Sequence, residues 1–245
     1  LQNDTMIFQA VFDSAGWSGD LNAIPIDEDG VIGTTAWTAS QGDSTDSNGL
    51  DERNYTLRTF YTYNGTDGVE FDWANLTTAQ KNDLKTNPNG TLANDATGMA
   101  RLGFITGDQA CEEHGTGTCS YSDGTNTYTS KAFRDRESLL GDIVHSSPLF
   151  VGPPSTPYPD NIESVSYSSF VNSSAKDRQQ IVYVGANDGV LHAFDTENNG
   201  RELFAYVPSL LFSTGADQGL HYLTDPTYIH KWYVDLSATA ADAYI

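Results

Sequence analysis

The chain has 245 residues, 38% hydrophobic and 11% aromatic, with 12 basic against 33 acidic side chains and a formal net charge of −21. That length suits one large or two small domains with a real core. The charge excludes a surface for nucleic acid or anionic lipid, and no run approaches the length of a membrane-spanning apolar helix.

Gly, Asn, Asp, Ser and Thr are abundant, as in a turn-rich, mostly β protein. No basic segment precedes an apolar run at Leu1, so a signal peptide is expected to have been removed or the chain to be a piece of a longer one. The first elements are MIFQAVF (6–12), GDLNAIPI (19–26) and VIGTTAW (31–37), separated by the turns DSAGWS and DEDG. Residues 1–39 are therefore assigned to propeller blade strands. A polar stretch follows, in which Asp43, Asp46, Asn48 and Asp51 offer oxygen ligands for calcium. Position one of an EF-type register would be Ser44, however, and a plain loop is the alternative.

Residues 58–73 predict a hairpin turning at Asn64-Gly65 or Asp67-Gly68. Thr77 or Thr78 caps a short amphipathic helix, and residues 95–108 predict a second one. Residues 40–141 are read as an insertion packed on the propeller, with too few apolar residues for a core of its own. Within it, seven residues separate Cys111 from Cys119. A short, Gly-rich loop of this kind can close into a disulfide, which implies a periplasmic or extracellular home. Free thiols and a metal are the alternatives, and only His114 lies near as a further zinc ligand. Arg134 and Arg136 are expected to form structural ion pairs with Asp135 or Asp142.

Residues 142–245 are assigned one complete blade and the start of the next. The strands are DIVHSSPLFV, QQIVYVGA, GVLHAFD and RELFAYVP, spanning 142–208, and a new innermost strand is expected over 233–245. The run 181–209 repeats the pattern of the N-terminal strands at roughly 30 residues. Val182 and Val184 alternate with Ile181 and Tyr183, so this strand is apolar on both faces, as between two neighbouring blades. The turn Asn187-Asp188-Gly189 fits a type I′-like hairpin. In 195–202, Asp195, Glu197 and Asn199 resemble an EF-type loop, but the twelfth position is Tyr206, so a turn is the simpler reading.

Catalytic readings are weak. Asp188 as a base has no companion groups. His145 lies beside Ser146 and Ser147, but adjacent strand residues point to opposite faces, so Ser146 is poorly aimed. His192, His221 and His230 fit no ligand spacing. No catalytic or cofactor-binding residue is assigned.

FRDRESLLGDIVHSSPLFVG (133–152), followed by VYVGANDGVLHAFD (182–195), resembles the PilY/PilC family of type IV pilus tip-associated adhesins and biogenesis proteins. FDSAGWSGDL (12–21), YNGTDGVEFDWANLT (63–77) and YIHKWYVDLSATAADAYI (228–245) are similar to the same family. The resemblance implies an all-β-dominated, partial β-propeller at the C-terminal end of a larger surface protein. It implies a non-enzymatic role in pilus assembly, surface attachment and motility. Its implied partners are minor pilins at the pilus tip, a host or surface receptor, and the remainder of its own propeller. The implied location is the cell surface, reached through the periplasm of a Gram-negative bacterium. Some members carry a calcium loop late in the propeller, but its D-x-D-x-D-x-x-x-D form does not occur here, and no cofactor is assigned.

Two other functions compete. A quinoprotein-type dehydrogenase propeller shares strands like ANDGVLHAFD, but it uses adjacent cysteines, a calcium cage and an aspartate base. A glycan-binding propeller would use Trp17, Trp37 or Trp73 as stacking surfaces. With one full blade, three strands of a second and one of a third, the isolated chain is expected to be loose or self-associating.

Overall fold

The computed structural model describes residues 5–43 and 48–242. In chain order, the strands are β1 (Thr5–Asp13), β2 (Ser18–Ile26), β3 (Trp37–Thr38), β4 (Phe60–Tyr63), β5 (Gly68–Glu70), β6 (Tyr121–Ser122), β7 (Thr127–Tyr128), β8 (Leu149–Val151), β9 (Ile181–Gly185), β10 (Leu191–Asp195) and β11 (Glu202–Val207). The α-helices are α1 (Thr78–Lys85), α2 (Asp95–Thr106) and α3 (Tyr167–Val171). No helix among the described residues is long and apolar enough to cross a membrane.

The strands form a three-stranded sheet ordered β1-β2-β3, a six-stranded sheet ordered β5-β4-β11-β10-β9-β8, and the small pair β6-β7. Within the large sheet, β8 to β11 are the expected antiparallel meander. The predicted hairpin of the insertion is β4–β5, and it joins that meander edge to edge because β4 pairs in parallel with β11. Its turn runs over Asn64–Asp67, where the Asn64 side chain accepts the amides of Thr66 and Asp67.

Register explains the burial. Val182, Val184, His192, Ala205 and Phe60 face one way across β9, β10, β11 and β4, and all are buried. Ile181 and Tyr183 face the other way and are half-buried. Two apolar clusters cover the buried face. Toward β4 and β11, α1, α2 and the disulfide loop supply Leu84, Phe104 and Cys111, and Phe133 joins them from the chain beyond β7. Toward β9 and β10, the small sheet supplies Leu21, Ala23 and Trp37 against Val182, Val184 and Phe194.

Both predicted helices form for local reasons. Thr77 caps α1 in a capping box with Gln80. Asn94 caps α2, which ends at Gly107 with φ +115°. Buried Arg101 of α2 donates to the Leu84 and Thr86 carbonyls, satisfying the open end of α1. Cys111 and Cys119 are joined, with Cα atoms 4.8 Å apart.

Three sequence expectations need correction. The strand expected to begin at residue 142 starts only at Leu149, because 142–147 spends its polar groups on the C-terminal segment and on turns. The described part of 233–245 forms no strand. It passes the end of β9 instead, where the Val234 amide donates to the Ala186 carbonyl and the Tyr233 amide to the Asn187 side chain. The Asn187-Asp188-Gly189 turn is not type I′, which needs positive φ at both central residues. Only Gly189 has it, at +92°, as in longer hairpin loops.

The two sheets meet at glycines. The Gly19 amide donates to the Leu140 carbonyl at 2.9 Å, and Ser18 and Gly141 form an isolated antiparallel bridge. A Cβ on Gly141 would overlap the backbone of Asp188, and one on Gly19 would overlap the Gly141 carbonyl. Gly141→Ala is expected to cost about 2–3 kcal/mol in urea unfolding, because backbone cannot yield as a side chain can. Gly30→Ala is the control: its φ is +79° but nothing lies within 4 Å, so only about 1 kcal/mol is expected. Replacing both Cys111 and Cys119 with serine should remove about 2–3 kcal/mol by the same measurement.

Candidate functional site

A connected group of buried charges lies under the β9–β10 turn, on the buried face of the large sheet. His192 is fully buried. Its Nδ1 lies 2.7 Å from Glu202 Oε1 and its Nε2 lies 3.0 Å from Asp188 Oδ2. Glu202, itself buried, accepts from Nε and Nη2 of Arg58 at 2.7 and 2.9 Å, while Nη1 donates to the Thr106 carbonyl. The same Asp188 oxygen accepts the Gly141 amide at 3.0 Å, and Asp188 Oδ1 accepts the Val190 amide. One turn residue earlier, Asn187 donates to Asp142 at 2.8 Å, and Asp142 also meets the ring of His230. That ring stacks on Trp17 in the turn between β1 and β2, with centroids 3.8 Å apart.

The electrostatics follow from this order. Burial pushes the His192 pKa down, but the carboxylates of Asp188 and Glu202 outweigh it and hold the value up, at about 9. Burial would raise Glu202, but Arg58 and the His192 imidazolium reverse that and lower it. The group is therefore a row of alternating charges, Asp188, His192, Glu202 and Arg58, in which the last three side chains are buried and Asp188 at the end is partly exposed.

Each of the other histidines also meets a carboxylate. His221 pairs with buried Asp83, which in turn accepts the amides of Ser213, Leu220 and His221. His145 pairs with Asp235, and His114 with Asp135, which raises the His114 pKa through their hydrogen bond. Ser146 is buried and its hydroxyl accepts the Gly185 amide, while the Ser147 amide donates to Ser237. Neither serine is bonded to His145, so no nucleophile–base pair is built there.

Arg134 and Arg136 are structural, but with other partners than expected. Arg136 bonds Glu112 at 2.7 Å and stacks on Phe104, and burial lowers its pKa to about 10. Arg134 donates to the Leu223 carbonyl and lies over Tyr228. Asp135 and Asp142 serve histidines instead.

The residues of the two candidate cation loops have the following partners. Asp195 accepts the Glu197 amide and the Gln179 side chain, and Glu197 accepts the Gln180 side chain, within a turn closed by Asn199 and Gly200 at positive φ. Gly200 is needed there because Trp37 packs where a Cβ would sit. Asp51 accepts the Leu139 amide at 2.7 Å, Asp43 and Asn48 flank the same polar loop, and Asp46 lies outside the described residues. A different trio, Glu113, His114 and Asp135, places one ligand atom each within 4.8 Å of the others at the surface and could hold a divalent cation. Of the three tryptophans weighed for sugars, Trp37 is buried, Trp73 packs against Gly98 and Lys81, and Trp17 stacks on His230.

Comparison with known proteins gives the following. Residues 140–244 match a family described as the PilY1 beta-propeller domain. The chain is 35% identical over 237 residues, 93% of its length, to the type IV pilus biogenesis factor PilY1 of Pseudomonas aeruginosa strain PAK, and covers 18% of that protein. It is 30% identical over 246 residues, 100% of its length, to a type IV pilus biogenesis factor PilY1 homolog of Xylella fastidiosa strain Temecula1, and covers 17% of it. The chain thus spans less than a fifth of the length of these curated relatives. No solved structure matches it.

The buried row of charges sets stability against pH. His192 has its folded pKa raised from 6.5 to about 9, so its contribution is full below 6.5 and is lost as pH rises through 9. Glu202 is lowered from 4.5, so its contribution is present above 4.5 and is lost as pH falls through its folded value. Urea unfolding at pH 6 and pH 9 should differ by on the order of 3 kcal/mol, and His192→Gln should flatten that slope. Arg58→Ala should cost about 3–5 kcal/mol at neutral pH, since it leaves Glu202 buried and unpaired on that side.

Proposed function

Because residues 140–244 belong to the PilY1 β-propeller domain family, we propose that this chain is a non-enzymatic part of a type IV pilus biogenesis and adhesion factor. The observation that carries the reading is the breadth of the match: proteins named as pilus biogenesis factors align with 93–100% of the chain, in both Pseudomonas aeruginosa and Xylella fastidiosa. The likeness therefore includes the small N-terminal sheet and the helical insertion as well as the blade.

The structure gives this reading a physical content. A binding or assembly module needs a rigid frame with surfaces left over, and here the polar chemistry is turned inward. His192 and Glu202 are buried, and the Ser146 hydroxyl accepts the Gly185 amide. The second face of the large sheet carries Tyr61, Tyr183 and Phe204 in edge-to-face contact, with Tyr61 and Tyr63 exposed. In this reading the remainder of the propeller packs on that face, at the outer membrane or pilus tip, where minor pilins and a surface receptor are the partners. The disulfide supports an oxidising compartment.

In-frame removal of this segment from the gene that encodes it is expected to abolish surface piliation, measured as sheared pilin, and twitching on agar. Normal piliation and twitching would overturn the assembly role. A dye-reduction assay of the purified protein with pyrroloquinoline quinone and calcium should show no turnover, and turnover would instead establish the dehydrogenase reading.

A further inference from the structure

The strands of the blade are joined tightly except once. Five residues link β9 to β10 and six link β10 to β11, whereas residues 152–180 make a 29-residue excursion between β8 and β9. Connections in compact domains mostly run to about 4–6 residues, so this one stands apart. This one folds into a groove of ≈ 320 Å³ that includes Tyr158, Ile162, Glu163, Val165, Tyr167 and Phe170. The apolar groups stand open to solvent: Tyr158 is 47% exposed, Ile162 67% and Val165 44%.

The walls are held in place. Tyr158 meets Tyr167 edge-on with centroids 5.0 Å apart, and Tyr167 packs on Phe170. The Tyr167 hydroxyl donates to Asp242 at 2.7 Å, and Arg178 holds the other Asp242 oxygen at 3.1 Å. Asp160 accepts both the amide and the hydroxyl of Ser168 at the start of α3. A groove fixed this way loses little entropy when filled.

Charge selects the occupant. The rim carries Glu163, with Asp160 beside it, on a chain of net charge −21, while the charge of Asp242 is already met by Arg178. A second copy of the chain would bring the same negative charge to the contact, and anionic lipid would be repelled as well. We infer that the groove between β8 and β9 binds a protein segment that presents an aliphatic or aromatic side chain flanked by lysine or arginine. This inference does not rest on the pilus reading, since it concerns the isolated chain and a defined peptide.

The test is fluorescence anisotropy of the full chain with a labelled hexapeptide, KLFKLK, and with its charge-reversed counterpart, ELFELE. KLFKLK should bind saturably and ELFELE should not. Ile162→Ser combined with Val165→Ser should weaken KLFKLK roughly tenfold or more. Glu163→Lys should weaken it roughly threefold, and raised salt should weaken it further. Leu57→Ser, exposed and away from the groove, should change nothing, and circular dichroism should show all variants folded. Equal binding of both peptides, no binding of either, or binding untouched by the double variant would overturn the inference. So would light scattering that shows a dimer dissolved by Ile162→Ser, or uptake by phosphatidylcholine vesicles that the double variant abolishes, since the occupant would then be a second copy or lipid.

Discussion

A buried imidazolium between two carboxylates is the interaction on which the rest of this structure depends. His192 sits where the two apolar clusters meet, with Ala205 of one opposite it and Phe194 of the other stacked beside it. A single charge there would be expelled by desolvation. Four charges in alternating order offset that cost for one another, each with hydrogen bonds on more than one side. The arrangement is intolerant of gaps, because removing any member leaves at least one buried charge with a partner fewer.

The row also decides how the parts of the chain fit together. Arg58 comes from the segment before β4, Glu202 and His192 from neighbouring strands, and Asp188 from a hairpin turn that holds Gly141. The helical insertion is therefore tied to the blade by charge as well as by the β4–β11 pairing. The small sheet is tied in through Gly141 and Gly19 on one side and through Trp17 on His230 on the other. Trp17 adopts φ +51°, an unusual conformation for a bulky residue, and its stacking on a histidine bonded to Asp142 accompanies that geometry.

Local pattern made much of this legible in the sequence. Alternation in 181–207 marks the meander strands, Thr77 and Gln80 mark the start of α1, and the Gly-rich spacing of Cys111 and Cys119 marks the disulfide. Pairing over distance did not show. Arg58 and Glu202 are 144 positions apart, and nothing near either names the other. His192 and Asp188 are four apart within a hairpin, yet their alignment depends on a turn in which Asn187 and Asp188 keep negative φ. The apolar and small-polar runs of 142–148 and 233–242 read as strands because composition carries no information about a partner strand. The groove at 158–170 was invisible because its sequence is rich in serine and has no period. Its shape comes from ring contacts and from Asp242, far along the chain.

The charge state of His192 tests the account most directly. Ring nitrogen-15 chemical shifts, followed by NMR from pH 6 to pH 10, report whether one or both nitrogens carry a proton. The account predicts that both ring nitrogens of His192 remain protonated at pH 7.5, with loss of one proton centred at about 9. A neutral ring at pH 7.5, with a single protonated nitrogen, would contradict it, for the row would then hold a net negative charge in the core and could not be what binds the sheets and the insertion together.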